Sequence, residues 1–195
     1  MYVANRELFP SSRCLFMYRD AEKVANSVYR ASLVAPNLRL HFALSKLSGY
    51  FFWMAMNSVN LTNLHTKSDM YVRIENDLMI GVLILIMVSS AYVDLRRRGF
   101  DIHAVRYEDL VARPLDMCRV ILEYCRLPVS LAELAVKAFD ADSQRNSPLA
   151  RSIVKNFKEP EMTPEIKKKL NALLAKCELP LIGELGTIEG TLACS

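Results

Sequence analysis

The first clear pattern in the chain is a short apolar run, Leu15 to Tyr18, that stops at Arg19. Four consecutive apolar residues without a turn residue predict a short buried strand. Asp20 can then cap a helix, and Ser27 falls about two turns into it. In an open α/β sheet this edge binds ligands, and a guanidinium beside a hydroxyl suits a phosphate group. The alternative is that Arg19 and Asp20 form only a surface ion pair or a helix cap.

The middle of the chain is apolar and predicts helices. Pro36 closes the first helix, residues 38–61 have helical spacing, and residues 60–69 form a polar loop. Residues 78–93 contain no charged side chain. This run is shorter than the roughly 18 to 20 residues that cross a bilayer. We therefore predict a helix buried against a sheet and keep a membrane span as the alternative; Gly99 should cap its end.

A second strand is predicted at residues 101–106, and it leads directly into Tyr107. Glu108 and Asp109 follow, and Pro114 begins another helix. Carboxylates beside an anionic ligand would repel it, so we interpret Glu108 and Asp109 as helix-cap and ion-pair residues. This is the second strand in the chain whose end carries polar side chains.

Helices and loops fill the remainder of the chain. Ser130 and Glu133 have the spacing of a capping box for a helix over residues 131–139. Residues 140–151 form a loop rich in hydroxyl groups, and Thr163 and Pro164 begin the last amphipathic helix. The remaining residues, 183–195, have the composition of a frayed tail. We expect one domain over residues 1–180 and a tail at 181–195.

The composition narrows the class of protein. The chain has 195 residues, of which 52% are hydrophobic, and this is enough to bury one substantial core. A net charge of +4 with dispersed basic residues permits an anionic ligand but does not indicate a nucleic-acid surface. The five cysteines show neither a disulfide framework nor zinc spacing. His103 stands alone in its strand, so a structural role is preferred and no metal is expected.

Two of these segments, in this order, resemble the sulfotransferases that use 3'-phosphoadenosine 5'-phosphosulfate (PAPS). The apolar strand ending in Arg19, with Ser27 eight positions later, is similar to the 3'-phosphate-binding segment of that family. RYEDL at residues 106–110 is similar to a second family segment. It is followed, as in the family, by Pro114 and by a Leu-Pro pair at residues 127–128. The matched segments cover about half of the chain.

The resemblance implies a fold and a reaction. The fold is α/β, with a partial P-loop-NTPase-like parallel sheet of a few short strands surrounded by many helices, mostly helical by residue count. The reaction is transfer of a sulfuryl group from PAPS, as co-substrate, to a hydroxyl or amine acceptor, without a metal. Arg19 and Ser27 would bind the 3'-phosphate and Tyr107 would lie near the adenine. Candidates in the later loop are Ser143 for the base and Arg145 or Arg151 for the phosphate.

The chain departs from the family pattern before its first strand. Sulfotransferases carry there a loop of Lys, Ser or Thr and Gly around the 5'-phosphosulfate. Many members also use a His or Glu as the general base. Residues 1–18 contain no glycine, lysine or histidine, so no catalytic residue is assigned. We expect an N-terminally incomplete chain or a divergent member that has lost catalysis.

Two other functions remain open from the sequence. One is a noncatalytic scaffold or interaction protein built on the remnant fold. The other is a small membrane protein inserted through residues 78–93. No signal peptide core is visible, so a cytoplasmic location is favoured for the chain as it stands, and the Golgi is the alternative if an N-terminal anchor is missing. The sequence assigns neither an acceptor nor an oligomeric state.

Overall fold

The computed structural model describes residues 12–35, 37, 39, 40, 43, 44, 77–141, 150–154, 156–158 and 160–194. The chain divides into two compact units. The first, which we call the sheet unit, consists of Met1–Tyr18, Tyr92–Ala141 and Thr187–Ser195. The second, the helical unit, consists of Arg19–Ala91 and Asp142–Gly186.

The described residues form a small parallel sheet among helices, so the predicted α/β class and its mostly helical content are confirmed. Short 3₁₀ turns occur at Val129–Leu131 and Ala138–Asp140. The elements in chain order are β1 (Cys14–Tyr18), α1 (Ala21–Val34), α2 (Asp77–Arg97), β2 (Ile102–Arg106), α3 (Tyr107–Ala112), α4 (Pro114–Tyr124), α5 (Ala132–Lys137), α6 (Arg151–Val154) and α7 (Pro164–Lys176).

β1 and β2 are adjacent and parallel, with Cys14 opposite Ile102 and Tyr18 opposite Arg106. Their predicted positions are confirmed to within a residue at each end. The prediction of a buried first strand is only partly right. Tyr18 is buried, but Met17 is 54% exposed and the other three residues of β1 are half-buried. An apolar run does not tell an edge strand from a central one.

The two faces of this sheet pack against different parts of the sheet unit. On one face Leu15 and Val105 join a core formed by α3, α4 and α5, together with Leu110, Met117, Cys118 and Ala132. On the other face Phe16 stacks on Tyr92, near the end of α2, with ring centroids 4.8 Å apart. Side chains alternate between faces along a strand, which is why neighbours in sequence enter separate clusters.

The end of the chain completes the sheet unit. Thr191 forms a parallel bridge with Ala104. The Ala104 N–H donates to the Gly190 carbonyl at 3.0 Å, and the Leu192 N–H donates to the Ala104 carbonyl at 2.8 Å. Ile188 is buried. The predicted frayed tail is therefore wrong, because these residues are held by contacts with β2, which is distant in sequence.

In the helical unit α1 begins as predicted. The Asp20 carboxylate accepts a hydrogen bond from the Lys23 N–H at 3.1 Å, which satisfies one of the unpaired donors of the first turn. α1 ends at Val34, before Pro36, also as predicted. Most of the helix predicted at residues 38–61, and the whole loop predicted at 60–69, lie outside the described residues.

α2 contains the long apolar run. Within the helical unit, a Cβ atom added to Gly81 would lie 2.6 Å from the Ala25 Cα, so α1 and α2 approach with backbone in contact. Beside this contact Ile80 and Leu83 are buried, with Val28 of α1 and Leu173 of α7 packed against them. Small residues at both positions permit this approach, and larger residues around it fill the core.

Two further helix ends agree with the prediction, and one disagrees. Gly99, at φ +80°, ends α2, with the Phe100 N–H bonded to the Leu95 carbonyl at 3.1 Å. Thr163 caps α7 by accepting from the Ile166 N–H at 3.4 Å. The capping box at Ser130 and Glu133 is wrong. α5 begins at Ala132, and Leu131 occupies its N-cap without a side-chain bond, because a 3₁₀ turn comes first.

Candidate functional site

The candidate site is the end of the sheet at which β1 and β2 both finish, which we call the carboxyl edge. Tyr18 and Arg106 are the last residues of the two strands and lie opposite each other. Arg19 is the next residue after Tyr18, and Tyr107 is the next after Arg106. The two segments that resemble sulfotransferases thus follow neighbouring parallel strands that end in register.

The predicted phosphate-binding residues belong to the helical unit, and the adenine-binding residue belongs to the sheet unit. Arg19 is half-buried and directly precedes the cap of α1. Ser27 is exposed, in the second turn of α1. Tyr107 is half-buried and is the first residue of α3. Their convergence on one nucleotide stays a prediction.

The other three candidate ligand-binding residues lie in a segment that the structure describes only in part. Ser143 and Arg145 lie outside the described residues. Arg151 is the first residue of α6, and its side chain is outside the described part of the structure. Their proposed contacts with the base and the phosphate therefore stay predictions.

The side chain of Arg106 is paired with the acidic residues of the RYEDL segment. Its Nε lies 3.6 Å from Glu108 Oε2, and its Nη1 lies 4.0 Å from Asp109 Oδ1. Only 12% of the Arg106 side chain is exposed. The ion-pair interpretation of Glu108 and Asp109 is confirmed, but the helix-cap interpretation is wrong, because Arg106 occupies the N-cap of α3. Two carboxylates against one guanidinium leave this part of the edge with a net negative charge, so it does not attract a phosphate by itself.

The hydroxyl of Tyr18 is bonded to the end of the chain, which sequence reasoning missed. It lies 3.0 Å from Thr191 Oγ1 and accepts from the Ile188 N–H at 3.4 Å. Burial raises the pKa of the Tyr18 phenol, so the group stays protonated at neutral pH. The one signal available was the short β-prone run after Gly190, in which Thr191 and Leu192 follow a turn residue.

Tyr92 makes a related contact from the end of α2. Its hydroxyl donates to the Glu189 carbonyl at 2.8 Å. Burial raises the pKa of Tyr92 to about 12, so this hydroxyl is also a hydrogen-bond donor throughout the neutral range. Gly190, at φ +77°, lies beside it, and a Cβ atom there would be 2.8 Å from the Tyr92 oxygen. The turn at residues 188–191 is thus held from β1 and from α2.

The opposite end of the sheet carries a charged cluster. Arg13 forms an ion pair with Asp101, and its guanidinium lies 5.6 Å from the centre of the Tyr124 ring. His103 Nδ1 lies 3.2 Å from the Gly190 carbonyl, and its Nε2 lies 3.6 Å from Asp101 Oδ1. These contacts fit the structural role predicted for His103. Among the described residues, no group of three or more His, Cys, Asp or Glu has the geometry to hold a metal ion.

The apolar helix α2 also bears on function. Its 21 residues contain an 18-residue window with a mean hydropathy of 2.2, which by length and composition is enough to cross a membrane. It is the one such helix in the described part of the chain. Half of that window is buried inside the protein. Core helices of water-soluble proteins have the same character, so the helix alone does not decide between the two environments.

Comparison with known proteins does not identify a family for this chain. No family model matches the chain, no curated protein matches it, and no solved structure matches it.

Proposed function

We propose that this chain is a sulfotransferase-like domain that binds a 3'-phosphorylated adenosine nucleotide, with PAPS as the co-substrate of the family reaction. One observation carries the proposal. β1 and β2, the strands that lead into Arg19 and Tyr107, are parallel neighbours whose last residues lie opposite each other. In open α/β sheets, ligands bind outside the carboxyl ends of such strands.

Arg19 has the central role in this proposal. The resemblance gives it as the 3'-phosphate ligand, and Arg106 faces two carboxylates, Glu108 and Asp109, whose charge exceeds its own. Arg19 follows β1 directly and would form a charge-assisted fork with the 3'-phosphate. Ser27 would add one hydrogen bond, and the Tyr107 ring would lie against the adenine.

A nucleotide titration tests the assignment. We expect the purified chain to bind adenosine 3',5'-bisphosphate in isothermal calorimetry. Arg19→Ala should weaken the binding about 10- to 100-fold, since a hydrogen bond to a charged group is worth about 1.5–3 kcal/mol. The matched control is Arg98→Ala. Arg98 is 53% exposed and pairs with Asp94 at 2.9 Å, and its loss should leave the affinity unchanged. Equal affinity in the wild type and Arg19→Ala would contradict the assignment.

Nucleotide binding and catalysis are separate questions for this chain. Stabilising the transferring sulfuryl group requires cations or backbone N–H groups around it. The sequence offers no glycine-lysine loop for that purpose. Sulfated product above a no-protein control, assayed with PAPS and a panel of hydroxyl and amine acceptors, would establish a sulfotransferase. Binding without turnover would favour the noncatalytic alternative.

The membrane alternative rests on the length and hydropathy of α2. Under our proposal α2 packs inside the protein, so the chain expressed without detergent should remain in the supernatant after ultracentrifugation. The measurement is the fraction recovered there, with a known single-span protein as control. Recovery only in the pellet, with release by detergent but not by alkaline carbonate, would favour a membrane-inserted helix over the nucleotide-binding domain.

A further inference from the structure

The proton positions around Tyr18 follow from its partners. Thr191 Oγ1 lies 2.6 Å from the Ile188 carbonyl, which can only accept, so the threonine hydroxyl donates to it. A hydroxyl has one proton, and Thr191 Oγ1 therefore accepts from Tyr18 across 3.0 Å. The Tyr18 oxygen in turn accepts from the Ile188 N–H. Every donor in this group thus has an acceptor, which gives the Tyr18 ring one preferred position.

This group of hydrogen bonds connects the two sides of β2. Tyr18 is on β1, Thr191 is bridged to Ala104 of β2, and the Tyr18 hydroxyl reaches Thr191 beyond that strand. β1 is therefore tied to the C-terminal turn through one side chain at its last residue.

We propose that Tyr18 is the residue that positions Arg19 for the 3'-phosphate, and that the C-terminal turn at residues 188–191 fixes Tyr18 for this purpose. The inference rests on the proposed function. Arg19 is joined to Tyr18 by a peptide bond, so the direction in which its side chain leaves the backbone depends on how firmly the end of β1 is held. A charge-assisted fork needs such preorganisation, because small displacements of a charged group are costly to binding.

The test compares two nucleotides that differ in one phosphate. Affinities for adenosine 3',5'-bisphosphate and adenosine 5'-monophosphate are measured by calorimetry, and their ratio reports the 3'-phosphate contact alone. Tyr18→Phe should reduce this ratio about tenfold, since one charge-assisted contact is weakened. Thr191→Val removes the acceptor of Tyr18 and should have the same effect. Thr191→Ser keeps the hydroxyl and should restore the ratio.

Tyr124→Phe is the matched control. It removes a hydroxyl that holds β1 at its other end, through the Cys14 carbonyl at 3.2 Å, and leaves Tyr18 and the turn at residues 188–191 intact. It should leave the nucleotide ratio unchanged. General loss of structure would lower both affinities together and leave the ratio at its wild-type value, which would overturn the positioning role.

The two proposals fail in different ways. If the wild-type chain shows no preference for the bisphosphate, the proposed function itself fails. If the wild type prefers it and Tyr18→Phe keeps that preference, or if Tyr124→Phe loses it equally, only the positioning role is overturned. A selective loss of preference in Tyr18→Phe and Thr191→Val, with recovery in Thr191→Ser, supports it.

Discussion

Deleting residues 187–195 is expected to unfold the sheet unit. The segment contributes two main-chain hydrogen bonds to Ala104 and the buried side chain of Ile188. Hydrogen bonds of this kind contribute about 1 kcal/mol each, and a buried isoleucine about 1.5–3 kcal/mol. Removal also leaves the hydroxyls of Tyr18 and Tyr92 without their partners. The sum is comparable with the roughly 5–15 kcal/mol that stabilises a whole domain.

The measurement is thermal unfolding followed by circular dichroism, with amide exchange at β1 and β2 as a local probe. We expect the truncated chain to lose protection at both strands. Leu185→Ser is the control, because that side chain is 84% exposed and its loss should shift the free energy of unfolding by less than about 0.5 kcal/mol. A truncated chain with wild-type protection at β2 would contradict the structural role of the segment.

Alanine substitutions at two glycines test the packing of this C-terminal segment more locally. Gly190 and Gly183 have nearly the same positive φ, +77° and +84°, so the backbone strain of an added Cβ is the same. At Gly190 the Cβ would meet the Tyr92 oxygen at 2.8 Å, whereas at Gly183 it would meet only the flexible end of Lys167 at 3.2 Å. Gly190→Ala should therefore be the more destabilising of the two.

Elements governed by local chemistry were predictable from the sequence. Asp20 and Thr163 cap their helices because a short polar side chain reaches an N–H three residues on. Gly99 ends α2 because that turn requires a left-handed backbone conformation, which glycine adopts without strain. These signals use neighbouring residues alone, and tertiary packing does not override them here.

Elements governed by distant contacts were not predictable. The residues from Thr187 onward have a loop-like composition, and only their pairing with Ala104 makes them part of a sheet. The capping box at Ser130 failed although its local signal was good, because a 3₁₀ turn at Val129–Leu131 already begins the segment. One sequence shows which residues suit a role, but not which distant segment competes for it.

The candidate site was predictable only in part, for the same reason. That strands lead into Arg19 and Tyr107 follows from hydrophobic pattern, and the structure adds that the strands are parallel neighbours. The hydrogen bonds that hold Tyr18 depend on residues about 170 positions away, so no sequence pattern near Tyr18 predicts them. Sequence reasoning therefore supplied the residues of the proposed ligand contacts and missed the hydrogen bonds that hold Tyr18.

Gly81→Ala is expected to destabilise the helical unit, although helix propensity predicts the opposite. Alanine is preferred to glycine in a helix by about 1 kcal/mol, so an exposed Gly81 would be improved by the change. The added Cβ would instead lie 2.6 Å from the Ala25 Cα and 3.2 Å from its carbonyl oxygen. These are backbone atoms, which cannot rotate away, so α1 and α2 must separate.

Overpacking of this kind costs about 1–3 kcal/mol, and the better helix propensity of alanine offsets about 1 kcal/mol of it. We therefore expect a net loss of about 1 kcal/mol and a fall in Tm of about 2–4 °C. Gly81→Val should cost more, because it adds further atoms at the same contact. Val88→Ala, at a 38% exposed position of α2, is the control and should change the free energy of unfolding by less than about 0.5 kcal/mol. If Gly81→Ala raises Tm instead, the gain in helix propensity exceeds any cost of overpacking. That result would mean that α2 does not pack on α1 at Ala25. The sign of this one shift therefore also bears on whether α2 is a core helix, because a helix surrounded by lipid would have no Ala25 backbone beside Gly81.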